Sequence, residues 1–165
     1  MGDALRADEL VSVIKRINCD LTAQLERNLK IKNMSGNQVY FLVYILRHHP
    51  DGTYLTELSH EIGVSKATLS ALIKKARKND YLCFYENPVD ARKKKVCPTK
   101  KLLAEQSEFL QKADKLEAQF NNILSQQEQR ELWKLGQKIL NYSAAAKQQT
   151  GGFNGEESIT TTQAV

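Results

Sequence analysis

The chain has 165 residues, 41% hydrophobic and 26% charged, an ordinary composition for one globular domain with a sizeable core. No apolar run reaches transmembrane length, Met1–Glu9 lacks a signal peptide's layout, and three cysteines fit neither a zinc spacing nor a secreted disulfide framework, so a cytoplasmic protein without membrane association is expected. Of the formal net charge of +5, all the positive excess lies in Tyr54–Lys101, which holds eleven Lys or Arg against five Asp or Glu.

Leu10, Ile14, Ile17, Leu21 and Leu25 recur at spacings of three and four, which predicts an amphipathic helix of about twenty-five residues. Ser35 with Gln38 is a capping-box signature, and Val39–Leu46 behind it predicts a helix buried on most sides. Pro50, Asp51 and Gly52 mark a turn. Leu55, Leu58 and Ile62 then share one face of a short helix, which Gly63 is suited to end with a left-handed cap. Ser65 is a candidate N-cap for the next helix. That helix has Leu69, Leu72, Ile73 and Ala76 on its apolar face and Lys66, Thr68, Ser70, Ala71, Lys74 and Lys75 on the other. The pair matches a helix-turn-helix whose second helix is free to enter a groove.

After Asp80 the period changes. Tyr81–Tyr85 and Arg92–Cys97 predict two short strands around the turn formers Asn87–Asp90, a hairpin that sets Cys83 opposite Cys97. Its tip and returning strand carry Arg92, Lys93, Lys94 and Lys95. A long helix follows from Thr99 to about Asn122, with Leu102, Phe109, Leu116 and Ile123 seven apart and Leu110, Ala113, Phe120 and Leu124 widening the stripe. Ser125 with Glu128 opens a last helix carrying Leu132, Trp133, Leu135, Ile139 and Leu140. Beyond Ala146 almost no apolar residue remains, so a disordered tail is expected. The fold class is thus mainly α with a small β wing, a winged helix-turn-helix flanked by long N- and C-terminal helices. We expect an N-terminal dimerisation helix in 1–34, the winged domain in 35–98, C-terminal dimerisation helices in 99–147 and the tail in 148–165.

A focused positive patch attracts nucleic acid or an anionic membrane surface, and the helix-turn-helix favours double-stranded DNA. Ser65, Lys66, Thr68 and Ser70 occupy the first turns of the second helix, where hydroxyls and Lys meet base edges and phosphates. Lys74 and Lys75 lie further along, at positions suited to phosphate. Arg92 at the wing tip is suited to the minor groove, with Asp90 holding it by an ion pair and Lys93, Lys94 and Lys95 neutralising phosphates. The apolar stripes at the two ends exceed what a compact winged domain needs. They predict a homodimer through Leu10, Ile14, Ile17, Leu21, Leu116, Phe120, Ile123, Trp133 and Ile139. No catalytic constellation, phosphate loop or dinucleotide motif is readable, and His48, His49 and His60 lack ligands at metal spacing. No enzyme, cofactor or metal site is expected.

The order of elements, the stretch Leu55–Ser70, and Asp90-Ala91-Arg92 leading through Val96 to Pro98-Thr99 resemble the MarR family of bacterial regulators over residues 8–145. The resemblance implies a sequence-specific DNA-binding transcriptional repressor that reads a pseudo-palindromic operator as a homodimer. It also implies a small aromatic effector held between the first two helices and the long one, near Tyr40, Phe41, Tyr44 and Phe109. Peroxide sensors of the family use a cysteine in the first helix, where this chain has Cys19, which gives a redox-responsive alternative. Ala71 and Ala91 stand where the family carries basic residues, and Asp80 and Leu102 where it carries glycine. The first two departures leave open an architectural or protein-interaction module with mainly non-specific DNA binding.

Overall fold

The computed structural model describes residues 6–31, 33–86 and 94–150, with side chains as far as residue 143. Among these lie the helices α1 (Ala7–Asn28), α2 (Gly36–His48), α3 (Leu55–Ile62), α4 (Lys66–Lys78), α5 (Lys100–Asn121) and α6 (Gln126–Thr150). The strands are β1 (Thr53–Tyr54), β2 (Leu82–Glu86) and β3 (Lys94–Pro98), in one antiparallel sheet of order β1-β3-β2. The fold is therefore mainly helical with a small sheet, as the periodicity predicts. Two compact units divide between Gln119 and Phe120, near the end of α5 rather than at its start.

Helix α2 runs through the core of the first unit. Ser35 Oγ accepts from the Gln38 amide at 3.3 Å, and Gln38 Oε1 accepts from the Ser35 amide at 2.9 Å. This reciprocal cap satisfies two donors that the first turn would otherwise leave without partners. Val39, Phe41, Leu42, Val43, Ile45 and Leu46 are all buried. Helix α5 contributes Leu102, Phe109, Ala113 and Leu116, spaced seven, four and three apart and hence on one face. Phe109 meets Tyr81 edge to face, with ring centroids 5.4 Å apart. At the rim, Arg47 of α2 donates to Glu117 at 2.7 Å and Asp114 at 2.6 Å, and Tyr40 adds a hydrogen bond to Glu117. This fork fixes the register of α5 on α2.

Helix α1 is divided along its length. Leu21 to Glu26 are half-buried, while Leu10, Val11, Val13, Ile14 and Ile17 are exposed. In the second unit, α6 opens on a cap in which Glu128 accepts from both the amide and the hydroxyl of Ser125 at 2.7 Å. That bonding holds the Glu128 carboxyl below the usual carboxylate range. Helix α6 runs to Thr150, three residues past the boundary expected at 147, because Gln148 and Gln149 are tolerable helix formers despite their polarity.

Two features of the first unit depart from the sequence expectations. Strand β1, only two residues long, is too short to show a period and was not anticipated; it adds a third strand to the wing. Leu116, expected among the dimerisation residues, lies in the core of its own unit at 6% exposure.

Candidate nucleic-acid interface

Leu58 of α3 is fully buried, and Leu55 and Ile62 pack beside it. Gly63 ends the helix at φ +71°, in the left-handed region that residues with a Cβ enter at a cost. A Cβ there would meet nothing within 4 Å, so the backbone angle alone accounts for the glycine. The chain then turns into α4, where Ser65 Oγ accepts from the Thr68 amide at 3.1 Å and lies 2.9 Å from the Thr68 hydroxyl. Both hydroxyls are thus partly committed to the cap while remaining exposed.

Leu69, Ile73 and Ala76 fix α4 on the core. Lys66, Thr68, Ser70, Ala71 and Lys74 are exposed on its remaining surface. Lys66, Ser70, Lys74 and Lys78 follow one another at i, i+4 spacing, so one ridge presents three ammonium groups and a hydroxyl. Lys78 and its neighbour Arg77 were not singled out from sequence, although both continue the basic face. Arg77 lies 4.5 Å over the Phe84 ring, a cation–π contact that ties the last turn of α4 to β2. Lys75 is half-buried and lines a cavity of about 520 Å³ with Lys30, Ile31, Met34, Ser35 and Gln38, away from Lys74.

Between α4 and the wing, Asp80 adopts φ +62°. Aspartate tolerates this region better than most residues, which suits it to this turn. Thr99 Oγ1 donates to the Asp80 carbonyl at 2.7 Å, and Lys101 lies 4.4 Å over the Tyr81 ring. Leu102 is fully buried in the core.

In the hairpin, Cys83 pairs with Cys97, Phe84 with Val96, Tyr85 with Lys95 and Glu86 with Lys94. Side chains alternate between faces, so Val96, Phe84 and Lys94 lie on one side and Cys83, Tyr85, Lys95 and Cys97 on the other. Lys94 and Lys95, both expected on phosphate, therefore face opposite sides of the wing. Lys94 sits 3.4 Å from Glu86, an exposed pair of little energetic weight, and 6.0 Å from the Phe84 ring, while Lys95 stands between Tyr54 and Tyr85. Asp90, Arg92 and Lys93 lie outside the described residues.

The remaining candidates fall in different settings. Phe41 and Phe109 are core residues, whereas Tyr40 and Tyr44 direct their hydroxyls to Glu117 and Glu61. Glu61 also meets His49 Nε2 at 2.6 Å, which is the main cause holding its carboxyl low. Cys19 is exposed on α1 with a free thiol. Leu10, Ile14, Ile17, Ile123, Trp133 and Ile139 are exposed, and Leu21 and Phe120 half-buried. Among the described residues, no helix is long and apolar enough to cross a membrane, and no cluster of three His, Cys, Asp or Glu could hold a metal.

No family model and no curated protein matches the sequence. Solved structures do match the fold. S. aureus MepR in its complex with DNA is 18% identical at a TM-score of 0.70, over 79% of this chain and 95% of that one. The transcription regulator MarR from Oenococcus oeni is 19% identical at 0.70, over 80% and 98%. Bordetella bronchiseptica BpsR, whose DNA binding is regulated by 6-hydroxynicotinic acid, is 17% identical at 0.69, over 84% and 97%. The chain has the winged-helix fold of the MarR regulators.

Proposed function

We propose that this protein is a transcriptional regulator, a repressor in the cytoplasm of its cell, that binds a pseudo-palindromic DNA operator as a homodimer. The observation that carries this reading is α4. Its core side is fully used by Leu69, Ile73 and Ala76, while Lys66, Ser70, Lys74 and Lys78 form an exposed ridge beginning at a hydroxyl-rich cap. Such a ridge offers hydroxyls to base edges and ammonium groups to phosphates in a major groove. No catalytic role attaches to these residues. The fold shared with MepR, solved on DNA, supports the same partner.

Dimerisation is supported by the apolar side chains that α1 and α6 each leave in solvent. A second copy would cover them and set two α4 helices about 34–36 Å apart, one turn of DNA. Arg92 at the wing tip, held by Asp90, completes the reading in the minor groove, with Lys93 and its neighbours on phosphate. For an aromatic acid effector, the open groove between the α1–α2 turn and Lys75 offers more than the four aromatics near α2 and α5. Ile31 and Met34 offer it apolar wall and Lys30 and Lys75 offer charge, whereas Phe41 and Phe109 are consumed by the core. A ligand there releases DNA to the extent that it binds the released state more tightly.

One observation favours a second reading. Ala71 is exposed midway along α4, where it offers DNA no charge or hydrogen bond, as in an architectural module with mainly non-specific binding. A salt titration on palindromic and scrambled duplexes separates the two. A regulator keeps an affinity ratio of about 10³ or more at physiological salt, whereas an architectural protein loses both duplexes together.

A further inference from the structure

On the outer face of the wing sheet, beside Lys95, lie two cysteines that the reading above does not use. There Cys83 of β2 stands directly opposite Cys97 of β3, both with free thiols. The Thr99 amide donates to the Tyr81 carbonyl at 3.0 Å, which makes Tyr81 and Thr99 a hydrogen-bonded rung of the same ladder. Rungs alternate, so Cys83 and Cys97, two residues further along, form another, with Cα atoms about 5.5 Å apart. A disulfide spans roughly 4.4–6.8 Å between Cα atoms but needs Cβ atoms within about 4.5 Å, closer than a hydrogen-bonded rung sets them, so closing this one strains the hairpin and leaves the bond easily reduced.

The two sulfurs are placed differently. Cys83 is exposed, and its Sγ reaches across to lie 3.6 Å from the Cys97 carbonyl oxygen. Cys97 is half-buried, and its Sγ lies 3.9 Å from the Asp51 carbonyl oxygen. It rests in space that Gly52 leaves open, where a Cβ would come within 2.5 Å of the sulfur. Bringing this sulfur to Cys83 therefore requires Cys97 to change its χ1 rotamer and leave Gly52. Burial, and then the nearness of Cys83, push the Cys97 thiol up, while Lys95 acts the other way.

We propose that Cys83 and Cys97 form a dithiol site that a hydroperoxide closes into a disulfide across the wing. Exposed Cys83 attacks first. Its thiolate takes the terminal oxygen of the peroxide, the O–O bond breaks, and an alcohol (water, from hydrogen peroxide) leaves behind a sulfenic acid. Cys97 then attacks the Cys83 sulfur. The S–S bond forms as the S–O bond breaks, and water departs with the Cys97 proton. The two thiols supply the two electrons that reduce the peroxide. The bond lies on an exposed face, so a small thiol reductant reaches it and reverses the step.

This inference does not depend on DNA binding. The test treats the full chain with one equivalent of cumene hydroperoxide, alkylates the remaining thiols and maps the peptides by mass spectrometry. The expected product is a Cys83–Cys97 linked peptide with Cys19 still alkylated, reverted by dithiothreitol. In Cys97→Ser the second step is blocked, and dimedone should trap a sulfenic acid at Cys83. Oxidation of Cys19 while Cys83 and Cys97 remain alkylated would overturn the proposal. Cross-linking of two chains through Cys83 would overturn it as well.

Discussion

Helix α4 buries Leu69, Ile73 and Ala76 and turns lysines and hydroxyls to solvent, whereas α6 leaves Leu132, Trp133, Leu135, Ile139 and Leu140 each at least 50% exposed. The two helices have similar amphipathic sequences and opposite outcomes. For α4 the apolar stripe is satisfied within the chain, so what remains to be explained is its polar face, and a polar partner explains it. For α6 the apolar stripe itself is what remains, since large exposed apolar patches are rare on a protein that stays monomeric. Exposure after folding, more than pattern before it, distinguishes a helix left with a polar face from one left with an apolar face.

The largest expected effect breaks this contrast on the α4 side. Ile73→Ala should cost about 2–5 kcal/mol of stability, because a buried side chain is replaced by a cavity. Urea unfolding should show the loss at every protein concentration. Leu135→Ala should instead act only where chains associate, so its effect on the midpoint should fade as the protein is diluted. A loss for Leu135→Ala that ignores concentration would place its side chain in an intrachain core and remove the contrast.

Next in size is association itself. Trp133→Glu should weaken the dimer by about thirtyfold or more, the effect of losing an interface residue worth about 2 kcal/mol. Sedimentation equilibrium reads this directly, and a wild-type chain that is monomeric at micromolar concentration would end the dimer reading. Leu116→Glu is the control, since it should unfold the first unit rather than merely separate subunits.

That control marks where the sequence stops being informative. The helices were legible because each buries a stripe at helical spacing, and the caps at Ser35 and Ser125 because their reciprocal bonds need only side chains three apart. The seven-residue spacing of Leu102, Phe109, Leu116 and Ile123 could not show that the first three enter the core while Ile123 stays 77% exposed. That depends on which neighbours the tertiary fold brings up. Lys94 and Lys95 were legible as charge, and as residues on opposite faces once a strand is expected there, but not by their neighbours, Glu86 and Phe84 for Lys94 and Tyr54 and Tyr85 for Lys95. The ridge of α4 was half visible: Lys66, Ser70 and Lys74 were read from the sequence of the second helix, but Lys78 and Arg77, in its last turn, were not singled out. Strand β1 left no signal at all, since two residues cannot show a period.

On the DNA side, Lys74→Ala should lower the slope of log affinity against log salt by about one unit, the signature of one lost phosphate contact. The loss should be the same on palindromic and scrambled duplexes. Ser70→Ala should leave the slope alone and reduce only the ratio between the two duplexes, by about 1 kcal/mol at most. If Lys74→Ala changes the ratio instead, its assignment to phosphate is wrong.

The smallest effect sharpens the comparison from within the core. The Tyr81 hydroxyl donates to Glu105 at 2.9 Å, and burial, followed by that bond and the Glu105 charge, pushes its pKa up to about 12. An unfolded tyrosine loses its proton near pH 10. Below that value both states hold the proton and the contribution to stability is complete. Above it the unfolded chain releases its proton first, so stability falls as pH rises and the contribution is gone once the folded group also titrates, near 12. Tyr81→Phe should cost about 1 kcal/mol at neutral pH and flatten part of this alkaline limb in urea midpoints. Tyr40 and Tyr44 are also raised, chiefly by burial, so some slope should survive the substitution. An unchanged limb in Tyr81→Phe would mean that this hydroxyl titrates as freely folded as unfolded, and that the contact between the residue leading into β2 and α5 is looser than its geometry requires.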